Sequence, residues 1–145
     1  MIGVDTNILV YAHRKDSPWH DAARNAIKEI AEGQARWALP WACVHEFIAI
    51  VTHPRIYRSP STLKEALDQV SAWLESPSVE TVGEDFGYWT VLERLLRDGK
   101  VKGPRVHDAR VAAVCLLHGV RELWTVDRDF SSFPQLGTRN PLLAE

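Results

Sequence analysis

The chain opens Met1-Ile2-Gly3-Val4-Asp5-Thr6-Asn7-Ile8-Leu9. A short apolar run halted by an acid reads as a buried strand with Asp5 at its carboxyl end, and Thr6–His13 follows as a helix. The same grammar returns near the other terminus, where residues 122–126, Glu-Leu-Trp-Thr-Val, run into Asp127-Arg128-Asp129. Between these two stretches the periodicity alternates. Residues 18–32 are helical in pattern, with Ala22, Ala23, Ala26, Ile27 and Ile30 on one face and Gly33 as the stop. Residues 35–39 form a second strand, ended by Pro40. Residues 41–52 place Val44, Phe47, Ile48 and Val51 at helical spacing before His53-Pro54 closes the segment.

A further helix over 61–75 carries the stripe Leu63, Leu67, Val70 and Leu74, and Val79–Val82 is a third strand. A helix over 84–97 ends at Asp98-Gly99, a basic loop covers 100–105, and Asp108 opens an apolar helix that Gly119 terminates. The tail, 131–145, has two prolines and no clear element. Strands separated by helices imply right-handed crossovers and a parallel sheet covered on both faces. The expected fold is a three-layer α/β/α domain spanning 1–145, with four to five short strands. Two helices between the second and third strands depart from strict alternation.

Size and composition agree with one core: 145 residues, 46% apolar and 25% charged. No stretch has the ~20 apolar residues of a membrane span, and Asp5 interrupts the first apolar run too early for a signal peptide. Cys43 and Cys115 sit in apolar surroundings and form no disulfide framework, so a cytoplasmic location is expected.

The net charge of −2 hides an uneven distribution. Residues 51–64 hold Arg55, Arg58 and Lys64 without an acid, and 94–110 carry a net +4 that includes Lys100, Lys102, Arg105 and Arg110. The rest of the chain is at −9, and arginines outnumber lysines 12 to 5. Arginine is the better bidentate partner for phosphate, so the two segments are either solvated loops or contacts to an anionic ligand.

In open parallel sheets the ligand site lies beyond the carboxyl ends of the strands, which here means Asp5-Thr6-Asn7 and Asp127-Arg128-Asp129. Each acid alone also reads as a helix cap, as does Asp108. Glu46 is different: its helical neighbours Ala42, Cys43, Ala49 and Ile50 are small or apolar, so its helix reads as buried nearly all round. A buried glutamate needs an arginine, or a metal shared with the strand-end acids. Converging carboxylates repel one another unless a hard cation neutralises them, and oxygen donors select Mg²⁺ or Mn²⁺. The six histidines show no metal-ligand spacing, and G-x-S-x-G, P-loop and G-x-G-x-x-G motifs are absent.

Asp5-Thr6-Asn7-Ile8-Leu9, a helix-borne Glu46, Asp108-Ala109 and Thr125-Val126-Asp127-Arg128-Asp129-Phe130, in that order, resemble the PIN-domain ribonucleases, specifically the VapC-type toxins. Val51-Thr52-His53-Pro54-Arg55-Ile56 and Asn140-Pro141-Leu142 resemble a subgroup abundant in mycobacteria. The resemblance implies a Mg²⁺- or Mn²⁺-dependent endoribonuclease acting on structured RNA such as tRNA or rRNA, leaving a 5′-phosphate and a 3′-hydroxyl. It implies a homodimer silenced by a cognate VapB-type antitoxin in a hetero-oligomer. Asp5, Glu46, Asp108 and Asp127 would be the catalytic acids, with Asp5, Asp108 and Asp127 on the metal. Thr6, Asn7 and Thr125 would support them by hydrogen bonding, and Asp129 would be an auxiliary acid. His107 is no general requirement of the family and reads as an exposed loop residue.

Within that frame Arg55, Tyr57, Arg58, Lys100, Lys102 and Arg105 are candidates for holding RNA, with Tyr57 either stacking on a base or packing under its loop. Of the six tryptophans, Trp37, Trp41 and Trp124 flank strands and read as core. Trp73 and Trp89 lie on mid-chain helices, where a dimer surface or an antitoxin groove competes with core packing. Two readings of other classes stand beside the nuclease. One is a non-catalytic RNA- or protein-binding module with a structural cation. The other is an aspartate-dependent phosphatase, which usually needs Asp-x-Asp where this chain has Asp5-Thr6-Asn7.

Overall fold

A computed structural model describes residues 1–143. The strands are β1 (Ile2–Val4), β2 (Trp37–Pro40), β3 (Val79–Val82), β4 (Glu122–Trp124) and β5 (Gly137–Arg139). The helices are α1 (Thr6–His13), α2 (His20–Glu32), α3 (Trp41–Val51), α4 (Leu63–Leu74), α5 (Tyr88–Asp98) and α6 (Val106–Leu117). All five strands run parallel in the order β3-β2-β1-β4-β5. The chain builds the sheet outward from β1 to β3, then returns to add β4 on the other side of β1. The strand order therefore reverses between β1 and β4, and their carboxyl ends diverge into different helices and turns.

The register pairs Ile2 with both Trp37 and Glu122, and Val4 with Trp124. Val4, Ile8, Leu9, Trp37, Leu39, Phe47, Val51, Val114 and Leu123 fill one core on the two sheet faces. Phe47 on α3 meets Trp73 on α4 edge-on at 4.9 Å, which locks the α3–α4 pair together.

The expected three-layer architecture and parallel sheet hold. Several details differ. The tail carries β5, an edge strand of three exposed residues held by main-chain bonds from Thr125 N to Arg139 O and from Gly137 N to Arg121 O. A Cβ at Gly137 would come within 2.8 Å of the Arg121 carbonyl, so this pairing needs glycine. A 3₁₀ turn over Arg128–Ser132 also lies there, seated by buried Phe130. Helix α5 starts at Tyr88 rather than at Glu84, because Gly87 takes φ +87° and Asp85 turns the chain by accepting from Phe86 N. Helix α6 begins at Val106, so Asp108 is its third residue and not its first.

Helix α4 buries Ala66, Val70 and Trp73, leaving Leu63, Leu67 and Leu74 at the surface. Small Ala66 lets the helix dock on the face that carries the tryptophan, which rotates the leucine stripe outward. Trp73 is thus core, whereas Trp89 is exposed, and Trp41, expected in the core, is 39% exposed. No helix among the described residues is long and apolar enough to cross a membrane.

Candidate active site

Asp5 leaves β1 and caps α1, accepting from Thr6 N at 2.8 Å. It is buried, and three further donors reach its carboxylate. Thr125 Oγ1 donates at 2.7 Å and Asn7 Nδ2 at 3.3 Å to Oδ2, while Cys43 Sγ lies 3.6 Å from Oδ1. Burial pushes its pKa up, the bonds from Thr125 and Thr6 oppose this, and nearby Glu46 adds repulsion.

Thr125 and Asn7 join the ends of β1 and β4. The Thr125 hydroxyl, besides donating to Asp5, accepts from Asp127 N at 3.0 Å and from Asn7 Nδ2 at 3.2 Å. Asn7 Oδ1 in turn accepts from Val126 N at 3.3 Å. The turn after β4 is thereby held against the start of α1. Asp127 then accepts from Asp129 N at 2.8 Å, which starts the 3₁₀ turn and brings Asp129 beside it.

Asp5, Thr6, Asn7, Glu46, Asp108, Asp127 and Asp129 line one open groove of about 720 Å³ at the carboxyl ends of the strands. Asp108, Asp127 and Asp129 bring carboxylate oxygens within 4.8 Å of one another. Asp5 is not a member of that trio, although its charge reaches Asp108. The Asp108 pKa is raised to about 6 by burial first, then by repulsion from Asp127, Asp5, Asp129 and Glu46. The donor set suits a hard divalent cation on chemical grounds: it is all carboxylate oxygen, mutually repelling, with no thiolate or imidazole in the trio.

Glu46 is in the groove but not buried. Helix α3 packs through Cys43, Val44, Phe47 and Val51, while Glu46 stands exposed with Ala42, Ala49 and Ile50 along the groove wall. Of its small or apolar neighbours, Ala42, Ala49 and Ile50 line the cleft and Cys43 alone is in the core. Thr6 Oγ1 donates to Glu46 Oε2 at 3.2 Å, tying this carboxylate to the α1 start.

The basic candidates divide. Arg105 lines the groove, donating to the Ser132 hydroxyl and, at 3.4 Å, to the Asp129 carbonyl. Lys100 and Lys102 are exposed in the preceding loop and do not line the groove. Arg55 and Arg58 are exposed in the loop after α3, also off the groove. Tyr57 is half-buried there with the Arg14 guanidinium 3.9 Å above its ring. His107 is exposed at the groove. The groove also contains His45, and Arg110, which belongs to the second basic segment but is not among the residues singled out for holding RNA. His45 adjoins Glu46 and Arg110 lies two residues past Asp108, but neither position shares an ideal helix face with its acid, so spacing did not mark them. Cys43 and Cys115 are free and buried, and burial holds both thiols well above their usual pKa.

The PIN domain model matches residues 2–136. Ribonuclease VapC48 of Mycobacterium tuberculosis is 31% identical over 137 residues, covering 94% of this chain and 94% of its own. Ribonuclease VapC43 of the same organism is 32% identical over 142 residues, covering 98% and 96%. Among solved structures, VapBC2 from Rickettsia felis, bound to a DNA fragment from its promoter, has a TM-score of 0.65 at 21% identity, covering 96% of this chain and 98% of that one. With a matching model over nearly its whole length and two such relatives, the chain belongs to the PIN-domain family, in its VapC ribonuclease branch.

Proposed function

We propose that the protein is a divalent-metal-dependent endoribonuclease that hydrolyses phosphodiester bonds in structured RNA such as tRNA or rRNA. The observation that carries this is the convergence of carboxylates from α3, α6 and the ends of β1 and β4 in one groove, with Asp108 held at a pKa of about 6 by its neighbours. A site built against its own electrostatics is suited to a cation and a phosphate rather than to a neutral ligand.

Asp5, Asp108 and Asp127, with Asp129 beside them, would hold Mg²⁺ or Mn²⁺. When bound, such a cation supplies neutralisation of phosphate charge, Lewis acidity and a water of lowered pKa. The chain's own groups supply position. Thr125, Asn7 and Thr6 N fix both oxygens of Asp5 and leave it no rotational freedom. Thr6 fixes Glu46 through Oε2, which leaves Oε1 to orient a water and accept its proton in an in-line attack. The half-exposed carboxylates lie on the open side of the groove, where a phosphate backbone has access.

The relatives named VapC, and the VapBC fold neighbour, support a toxin role with a VapB-type antitoxin as partner; a homodimer or hetero-oligomer in the cytoplasm is part of the same proposal. The test is cleavage of RNA by the purified chain with and without Mg²⁺ or Mn²⁺, against Asp108→Asn and Glu46→Gln. Activity that needs the metal and both carboxylates supports the reading, and full activity in either folded variant refutes it. Asp5→Asn is a poorer probe, because its amide nitrogen would face either the Thr6 N–H or the Thr125 and Asn7 donors and cost about 1–3 kcal/mol of stability.

A further inference from the structure

The sheet order sets the acids between two flanks, β3 at one edge and β5 at the other. Two arginines from one stretch of chain are tied to opposite flanks. Arg105 is bonded to Asp129 and Ser132, in the turn after β4. Arg110, in α6, is ion-paired through Nε with Glu84, which follows β3. Both line the groove that holds Asp5, Asp108 and Asp127. A polyanion entering this acid-lined cleft therefore meets a guanidinium on either side of the carboxylates.

Arg110 is the one whose orientation is informative. Glu84 takes Nε, no hydrogen bond to Nη1 or Nη2 is present among the described residues, and the side chain stays 40% exposed. Anchored at Nε, the guanidinium offers its two terminal amines in one plane, the shape that grips two oxygens of a phosphate.

Beyond Arg110 the surface turns aromatic. Phe86, two residues past Glu84 and so within about 7 Å of it along the chain, is 98% exposed. Trp41 is 39% exposed, adjoins Ala42 of the groove wall and reaches Gly83, where a Cβ would lie 3.5 Å from its Cδ1. A phenyl ring this open contributes nothing to the core, and it lies two residues along the chain from Glu84, the partner of Arg110. Phe86 and Trp41 stand outside the groove lining, as does Tyr57 of the other basic segment, but the Tyr57 ring is already covered by Arg14.

We propose that Arg110 and Phe86, with Trp41 alongside, form a nucleotide subsite on the β3 flank: the Arg110 amines take a backbone phosphate away from the scissile one, and Phe86 stacks on an unpaired base. This rests on the ribonuclease reading and adds a requirement to it, an unpaired nucleotide beside the cut. Stacking on an open aromatic ring takes any base, so the subsite selects single-stranded geometry rather than sequence.

The test uses the full chain and a 12-nucleotide single-stranded oligoribonucleotide of mixed sequence. Binding is read by anisotropy in EDTA across a salt series, cleavage is followed in Mn²⁺, and mass is read by sedimentation. Arg110→Gln is expected to weaken binding about fivefold or more and to reduce the salt slope by about 0.7, the value for one phosphate on a single strand. Arg110→Lys keeps the slope and recovers part of the affinity. Phe86→Ala weakens binding about fivefold or more with no change in slope; at 98% exposure the ring packs on no core, so the variant folds as wild type does, which a thermal melt checks. Unchanged affinity and slope in Arg110→Gln overturns the proposal. So does a Phe86→Ala protein whose mass changes while affinity per protomer does not, since Phe86 is then a contact between copies of the chain. Wild type that cleaves while both variants match it overturns the subsite alone. Wild type that neither binds this oligoribonucleotide nor cleaves folded tRNA or rRNA in Mn²⁺ overturns the ribonuclease reading and the subsite with it.

Discussion

Asp108→Asn in the metal-free protein is expected to stabilise the fold. In the native state the Asp108 carboxyl has its pKa raised from 3.8 to about 6. The folded protein therefore holds a proton that the unfolded chain releases as pH rises from about 4 to about 6, and stability falls across that window. At 1.36 kcal/mol per pKa unit the penalty at pH 8 has a ceiling of about 3 kcal/mol. Because the side chain is partly exposed, solvent screening cuts this to about 1–2 kcal/mol. For a chain of this length that is a rise of roughly 3–6 °C in Tm. The assay is a set of thermal melts in EDTA from pH 4.5 to pH 8. The difference between variant and wild type should grow from about a third of its full value at pH 4.5 to that full value above pH 7. Adding Mn²⁺ should reverse the ranking, since wild type gains about 1.4 kcal/mol for each tenfold excess of ion over Kd and the variant has lost a ligand. An Asp108→Asn protein that is no more stable than wild type at pH 8 in EDTA refutes the electrostatic account of the site.

Glu46→Gln should leave stability within about 0.5 kcal/mol, as for other exposed substitutions, while cleavage falls about 100-fold or more; chemical denaturation and a gel assay separate the two. Thr125→Val should cost about 1–3 kcal/mol, because it removes the 2.7 Å bond to buried Asp5 and the acceptor for Asp127 N; urea unfolding measures it. Thr62→Ala should cost about 1 kcal/mol, since Thr62 and Glu65 form a reciprocal cap at the start of α4, and again urea unfolding is the check. Gly87→Ala should cost about 1 kcal/mol or more, because φ is +87° there; a shift in denaturation midpoint without change of slope is the expected form.

What could be read from the residues was what local chemistry dictates strongly. Asp5 ends an apolar run, Gly119 stops a helix, and Val44, Phe47 and Val51 share one face; each is a short-range signal that the fold respects. The strand-end acids were legible for the same reason, since a parallel sheet has one end where ligands gather. Glu46 stands out in the sequence through its small neighbours, yet it is exposed and not buried. Small neighbours marked a special helix face, but Ala42 and Ala49 line a groove, and periodicity does not distinguish a groove wall from a core. Strand β5 left no trace because Gly137, Thr138 and Arg139 are all exposed and are held by main-chain bonds alone. The α4 stripe misled for a tertiary reason: Trp73 had Phe47 to meet, so the helix turned its leucines outward. The Thr62-x-x-Glu65 box was there to be read and would have moved that helix start from residue 61 to Leu63.

The central claim is that these carboxylates make a metal-dependent ribonuclease. Its most direct test is incubation of the purified chain with total cellular RNA in EDTA and in Mn²⁺, with Asp108→Asn in parallel and the resulting RNA ends sequenced. The account predicts discrete cuts bearing 5′-phosphates in Mn²⁺ with wild type only. Cuts of equal pattern and yield in EDTA, or with folded Asp108→Asn in Mn²⁺, contradict it.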